Sequence, residues 1–206
     1  MASTYTPLGI ELQATGENAG TWGTKTNTNL QIFEQISGGF TQQSIAGGAQ
    51  TTALTVSDGS TGAVMSHRMI EFTGTITGNQ IVTIPLDTQT FYFLRNSTSG
   101  AHTVQFKYTS GSGSTFTFSA TNKGDAIIFA AANDGTNPDI KEISLTTSPA
   151  GTTGQVQVNS SGSFGAISEG TSGHILTSNG SGAAPTFQAN SGIGIGKAIA
   201  MAIVFG

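Results

Sequence analysis

The sequence predicts an all-β protein: a β-sandwich or jelly-roll-like middle domain, a short N-terminal helix and a C-terminal repeat of β-hairpins, elongated as a whole. Only 9% of the 206 residues are charged, whereas 29 residues are glycine and 36% are apolar. Disordered chains combine low hydrophobicity with high net charge, but the net charge here is only −4. Thr, Val, Ile and Phe favour strands, and Gly and Asn favour the turns between them.

A near-repeat in the last zone of the chain, 148–206, is the second observation. Segments 151–166 and 170–188 each begin with a G-T-x-G turn and continue as an alternating strand. Each then turns through Asn, Ser and Gly and ends on a phenylalanine, Phe164 or Phe187. Units this short gain stability by stacking on neighbours, in the same chain or in others. We therefore expect hairpins that belong to an oligomeric structural protein.

The first zone, 1–40, predicts a short strand, a glycine-rich loop and a helix. The only tryptophan, Trp22, falls in the predicted loop. Thr28 and Gln31 have the spacing of a capping box, which places the start of the helix at Thr28, and Thr24 is an equal alternative.

One face of this helix is apolar, because Leu30, Phe33 and Ile36 recur at helical spacing. Gly38-Gly39 predicts its end. A helix of about ten residues is marginal in water. We expect it to form only when the apolar face packs, either on the chain's own β-domain or on another subunit.

The middle zone, 41–147, contains short strand-like segments with turn signals between them, as in two-sheet β-domains. Gly78-Asn79 separates two alternating runs by two residues, which predicts a tight hairpin. Alternation also predicts the core, with Thr and Gln on the outside. The predicted core residues are Ile70, Phe72, Ile81, Ile84, Phe91, Phe93, Val104, Phe106, Phe116, Phe118, Ile127 and Phe129.

Residues that carry catalytic or metal-binding chemistry are few and dispersed. The chain has no cysteine, and its histidines lack the spacing of metal ligands. Its seven Lys and Arg form no cluster, so we expect no nucleic-acid partner. We expect no enzyme, no cofactor and no metal. An active site between subunits is the rival hypothesis, and it would use a close carboxylate pair, with candidates Glu71, Asp87 and Asp125.

Aromatic side chains offer a further alternative, because aromatic rings stack on sugars. Phe91, Tyr92 and Phe93 form one such run, and Trp22 is another candidate. A core role or an interface role is the preferred interpretation for each, since Trp is a residue type favoured at binding hot spots.

The last residues, 198–205, form an apolar run. It is far shorter than the ~20 residues of a membrane-spanning helix, so we expect no membrane insertion. In a single chain it would be an exposed apolar surface. We therefore expect this run to join subunits, through Ile199, Met201, Ile203, Val204 and Phe205.

A family resemblance rests mainly on segment 15–30, TGENAGTWGTKTNTNL. It resembles the N-terminal segment of tail-fibre and related virion proteins of marine bacteriophages, including those that infect cyanobacteria. Those proteins carry a G-[ED]-x-x-G-T-W-G-x-x-T-N-x-N-[LF] pattern. The middle zone is similar to the β-rich module of such fibres, and 173–187 resembles a repeated element of their shafts.

This resemblance implies a structural component of a phage virion, docked through its N-terminus onto tail or collar proteins and assembled as a homotrimer. A short tail fibre is the first expectation. The chain has no extended shaft, which leaves open a tail-hub accessory, a head decoration or an adhesin that binds a host surface glycan. The residues to which the docking role is carried are Thr21, Trp22, Gly23, Thr26, Asn27, Asn29 and Leu30, with Phe33 on the same helix.

Overall fold

The computed structural model describes residues 2–121, 123–144, 149–192 and 195–205. The chain divides into two compact units, 1–144 and 145–206. The class is all-β, as the sequence predicts, with helix α1 at Trp22–Gly38 in the first unit and helix α2 at Ile195–Phe205 in the second. The segment 1–40 belongs to the same compact unit as the strands that follow it.

The first unit begins with a small pair of strands, β1 and β2, followed by α1 and by the strands of two sheets. The strands are β1 (Thr4–Tyr5), β2 (Glu11–Leu12), β3 (Phe40–Ser44), β4 (Gln50–Ala53), β5 (Met69–Thr73), β6 (Gln80–Ile84), β7 (Thr90–Asn96), β8 (Val104–Tyr108), β9 (Phe116–Phe118), β10 (Gly124–Ala130) and β11 (Ile140–Glu142). A 3-10 turn occupies Val64–Ser66.

The two sheets of the first unit share one core. The five-stranded sheet has the order β11-β10-β7-β5-β3, and the four-stranded sheet has the order β4-β6-β8-β9. From β3 to β8 the chain alternates between the sheets, so each strand from β5 onward lies parallel to the strand two earlier. The ring of Phe106 in one sheet lies 5.8 Å from that of Tyr92 and 6.4 Å from that of Phe72 in the other.

The predicted hairpin at Gly78-Asn79 is wrong, because the strands on either side of it, β5 and β6, lie in different sheets. The turn is a corner between the sheets, and successive corners stack on one another: the amide of Gly47 donates to the carbonyl of Thr75 at 2.9 Å. A Cβ at Gly78 would meet the backbone nitrogen of Ala49. The glycine therefore allows two backbones to approach closely, which is a different use of the residue from a hairpin turn.

The predicted core residues are correct mainly in strands whose other face carries polar side chains. Six of the predicted residues are buried, namely Ile70, Phe72, Ile84, Val104, Phe106 and Phe118. Three are half-buried, namely Ile81, Phe116 and Ile127.

In β7 and β10 the prediction is wrong by one residue. Phe91, Phe93 and Phe129 are exposed, and their neighbours Tyr92 and Ile128 are buried. Apolar side chains lie on both faces of these strands, so alternation alone does not show which face is buried. Burial of Tyr92 is permitted because its hydroxyl donates to the carbonyl of Met65 at 2.9 Å, which satisfies the polar group in the core.

Helix α1 begins earlier than predicted and has 17 residues. Its first residue is Trp22, which the sequence placed in a loop. Thr28 lies inside the helix, where its hydroxyl donates to the carbonyl one turn earlier at 3.0 Å. The start is set by a turn in which the amide of Thr21 donates to the carbonyl of Asn18 at 2.9 Å. The end at Gly38 is as predicted.

The second unit contains the two hairpins that the near-repeat predicts. Strands β12 (Val156–Ser160) and β13 (Ser163–Ile167) pair antiparallel, as do β14 (His174–Thr177) and β15 (Thr186–Ala189). Among the residues that the structure describes, neither helix is long and apolar enough to cross a bilayer.

Candidate interaction surfaces

One side of α1 is fixed to β2 by a polar clamp. The side chain of Asn29 accepts a hydrogen bond from the amide of Glu11 and donates one to its carbonyl, both at 2.9 Å. The buried carboxylate of Glu11 accepts a hydrogen bond from Asn18 at 3.0 Å and lies 3.1 Å from Nζ of Lys25. The bond from Asn18 and then the Lys25 ammonium lower the pKa of this carboxyl. Since Ile32 is also fully buried, the helix has a fixed orientation on the first unit.

A second side of α1 is apolar and open to solvent. Trp22, Thr26, Leu30 and Phe33 follow one another at i, i+4, i+8 and i+11, so they share one face, which we call the α1 face. The exposed fractions of Trp22, Leu30 and Phe33 are 64%, 61% and 61%. Ile36, predicted to lie with Leu30 and Phe33, is half-buried. Of the two alternatives that the sequence left open, packing of Leu30 and Phe33 on the chain's own β-domain is not observed.

The other residues predicted to dock have different positions. Thr21 and Asn27 are exposed, and Gly23 and Thr26 are half-buried. Asn29 belongs to the polar clamp, and both the oxygen and the nitrogen of its side-chain amide form hydrogen bonds with the backbone of Glu11. The structure therefore brings together the apolar members of the predicted set and gives Asn29 a supporting position.

In the second unit, α2 exposes most of the residues that the sequence assigned to subunit contacts. Ile199, Ile203, Val204 and Phe205 have exposed fractions from 55% to 82%. The side chain of Met201 lies outside the described residues. Exposed aliphatic and aromatic residues on one short helix are typical of a surface that another chain covers.

The candidate carboxylates of the first unit are held by hydrogen bonds. Glu71 accepts one from the hydroxyl of Ser97, which is the main reason why its pKa is lowered. Asp125 accepts two from Arg95, at 2.7 and 2.9 Å, and these lower its pKa as well. Both groups are ionised at neutral pH. Neither has the raised pKa that a general acid of glycoside hydrolysis requires.

The third candidate carboxylate and the histidines bear on two further chemical hypotheses. Asp87 is exposed in the turn after β6. Among the described residues, no three His, Asp or Glu side chains lie close enough to hold a metal ion. The ring atom Nδ1 of His67 lies 2.9 Å from the carbonyl oxygen of Ala63, beside the 3-10 turn.

The five-stranded sheet has an exposed apolar face that the sequence pattern does not reveal, because alternation places several residues of this face in the core. Phe91 and Phe93 are part of this face, and their rings meet edge to face at 5.8 Å. The guanidinium of Arg68 lies 3.9 Å above the ring of Phe91. The aromatic run at 91–93 was the available signal, but it does not reveal which neighbours from other strands lie beside it.

Comparison with known proteins gave no match to any protein-family model, curated protein or solved structure.

Proposed function

We propose that the chain is a structural component of a bacteriophage virion, a short tail fibre or tail-attached appendage that docks through the α1 face. The observation that carries this proposal is the exposure of Trp22, Leu30 and Phe33 on a helix whose other side is clamped to the chain. Segment 15–30, whose pattern resembles the docking segment of phage fibre proteins, contains the start of this helix.

The physical argument is preorganisation. An apolar helical face in a groove of a partner is a common mode of recognition, with anchors that recur at helical spacing along one face. Trp is enriched among the residues that dominate binding energy. Because the Asn29 clamp orders the helix before binding, the partner does not have to supply the free energy of that ordering.

We further propose that copies of the chain associate through the exposed residues of α2, as the homotrimer that the resemblance implies. Covering Ile199, Ile203 and Phe205 removes apolar surface from water, which favours association. The virion is the proposed location, and no cofactor, metal or catalytic residue is part of the proposal.

Replacement of the largest anchor tests the docking. In particles assembled with the Trp22→Ala chain, we expect the copy number of this protein, measured by quantitative mass spectrometry of purified virions, to fall at least about tenfold, since a hot-spot Trp contributes ≥ 2 kcal/mol. Leu12→Ala is the matched control, because Leu12 is an exposed apolar residue on β2. Full copy number with Trp22→Ala would contradict the proposal, as would an equal loss with Leu12→Ala.

A further inference from the structure

An open cavity of about 740 Å³ lies where α1 ends and β3 begins. Its walls come from the last turns of α1, the first residue of β3 and the chain on both sides of the 3-10 turn. We call it the α1 end cavity. The side chains that give it its chemistry are those of Glu34, Ser37, Phe40 and His67.

Two of these side chains have already committed their hydrogen within the chain. The hydroxyl of Ser37 donates to the carbonyl of Phe33 at 2.8 Å. Nδ1 of His67 lies 2.9 Å from the carbonyl oxygen of Ala63, and since a carbonyl only accepts, Nδ1 carries the hydrogen. In the neutral ring Nε2 is then an acceptor. Ser37 and His67 therefore offer lone pairs to a ligand, and the glutamine amides and threonine hydroxyl that also line the cavity can accept as well.

The charge of the cavity is negative and is not compensated by the chain. Glu34 is exposed, one residue before the last turn of α1, and that turn contains no basic residue although helix carbonyls make this end negative. Among the described residues Glu34 has no ion-pair partner: Lys25 of the same helix pairs with Glu11, and Arg68, next to His67 in the chain, stacks on Phe91. A local cost without a compensating contact is typical of a functional site.

The remaining wall favours one kind of cation. The ring of Phe40 lines the cavity with 55% of the residue exposed. Aromatic faces attract cations, and arginine is found on them more often than lysine. A guanidinium is planar, has five N–H donors and has no acceptor. Several acceptors, one carboxylate and one open ring therefore match a guanidinium better than a compact ammonium.

We propose that the α1 end cavity binds an arginine side chain of the protein on which the α1 face docks. The guanidinium pairs with Glu34, lies against the ring of Phe40 and donates to the free acceptors. Ser37 follows Phe33 at i+4, so the cavity continues the α1 face, and one partner surface can cover both. This inference rests on the proposed docking and adds to it the chemistry of the partner: an apolar groove with an arginine beyond the C-terminal end of α1.

A small probe tests the cavity without the partner. Acetyl-arginine amide is titrated into the full chain at constant ionic strength, and the backbone amide resonances of Gly38, Gly39 and His67 are followed by NMR. Acetyl-citrulline amide is the control, because it has the same length and a planar but neutral head. We expect saturable shifts with arginine and at least tenfold weaker binding of citrulline. No shifts at these amides, or an equal response to both probes, would overturn the site.

A variant of the carboxylate then tests the role of Glu34. Glu34→Gln keeps the size of an exposed side chain, so circular dichroism should show the parent fold. We expect it to bind acetyl-arginine amide about threefold more weakly, as for the loss of one exposed ion pair. Glu142→Gln is the matched control, on the exposed end of β11 at the other edge of the five-stranded sheet. Unchanged binding by Glu34→Gln, or equal weakening in both variants, contradicts the proposal.

Virions show whether the arginine belongs to the docking partner. Glu34→Arg sets like charges against each other, so we expect the copy number to fall at least about tenfold, whereas Glu142→Arg should keep it. If Trp22→Ala lowers the copy number and Glu34→Arg does not, docking stands and the partner's arginine is overturned, even where the probe binds. If Trp22→Ala keeps the full copy number, the proposed docking fails and the partner as source of the arginine fails with it.

Discussion

The clamp between α1 and β2 makes a prediction that separates support of the docking helix from docking itself. Asn29→Ala removes two hydrogen bonds to the backbone of Glu11, each 2.9 Å long. A net contribution of about 1 kcal/mol for each bond gives a loss of about 2 kcal/mol in local stability. Glu11 is buried, so its amide and carbonyl are left without a partner in a place where water reaches them poorly, and the loss lies at or above this value.

Hydrogen exchange measures this loss where it occurs. A decrease of about 2 kcal/mol in the free energy of local opening corresponds to roughly 30-fold faster exchange of the amides of α1. Asn27→Ala is the matched control: it is the same substitution two positions away, on an exposed side chain, and we expect a change within about 0.5 kcal/mol. Unchanged protection of α1 in Asn29→Ala, or equal acceleration in Asn27→Ala, would refute the assignment of Asn29 to the clamp.

Two further predictions concern assembly and pH. Deletion of 198–205 removes the exposed residues of α2, so monomers or aggregates should appear at dilutions where the parent keeps its oligomeric mass by light scattering; a truncated chain of unchanged mass contradicts this. Asp125→Asn removes the pair with Arg95, whose bonds lower the Asp125 pKa below its usual 3.8. The stabilisation is therefore present above that value and is lost as the pH falls through the lower folded-state pKa. In urea titrations the variant should be less stable at pH 7, by ~0.5 kcal/mol for an exposed pair, and equal to the parent near pH 2. A stability difference that persists at pH 2 would count against the ion pair.

The sequence predicts the all-β fold class because both signals that indicate strands, alternation and turn residues, are local. Alternation with polar residues, Glu71 and Thr73 in β5 and Gln105 and Lys107 in β8, sets which face of these strands is buried. The repeated turns set the hairpins of the second unit. The signal that predicts the end of α1, the pair Gly38-Gly39, is local in the same sense. The orientation of α1 on the first unit is not, because the polar clamp to Glu11 brings together residues that are 18 positions apart, and no helix propensity contains that information.

The corner at Gly78-Asn79 shows a second limit. A glycine followed by asparagine favours a hairpin wherever both flanking strands alternate. In this chain the strands on either side belong to different sheets, and the glycine is needed because the backbone of Ala49 passes close to it. Sequence pattern reports that a turn is present, but the partner of each strand depends on a segment about 30 residues away along the chain.

The same limit explains why Phe91 and Phe93 were predicted to lie in the core, and it shows that the core and the exposed apolar face of this sheet have a single origin. In β7 the choice of phase is made by Tyr92, which can be buried because Met65 offers a carbonyl to its hydroxyl. Once Tyr92 points inward, Phe91 and Phe93 must point outward, because side chains alternate along a strand. Parallel register with β5 then sets Met69 beside Phe93, and antiparallel register with β10 sets Ile127 on its other side. A slip of one residue in β7 would bury the phenylalanines and expose Tyr92, so the hydrogen bond that specifies the core also creates the exposed apolar face of this sheet.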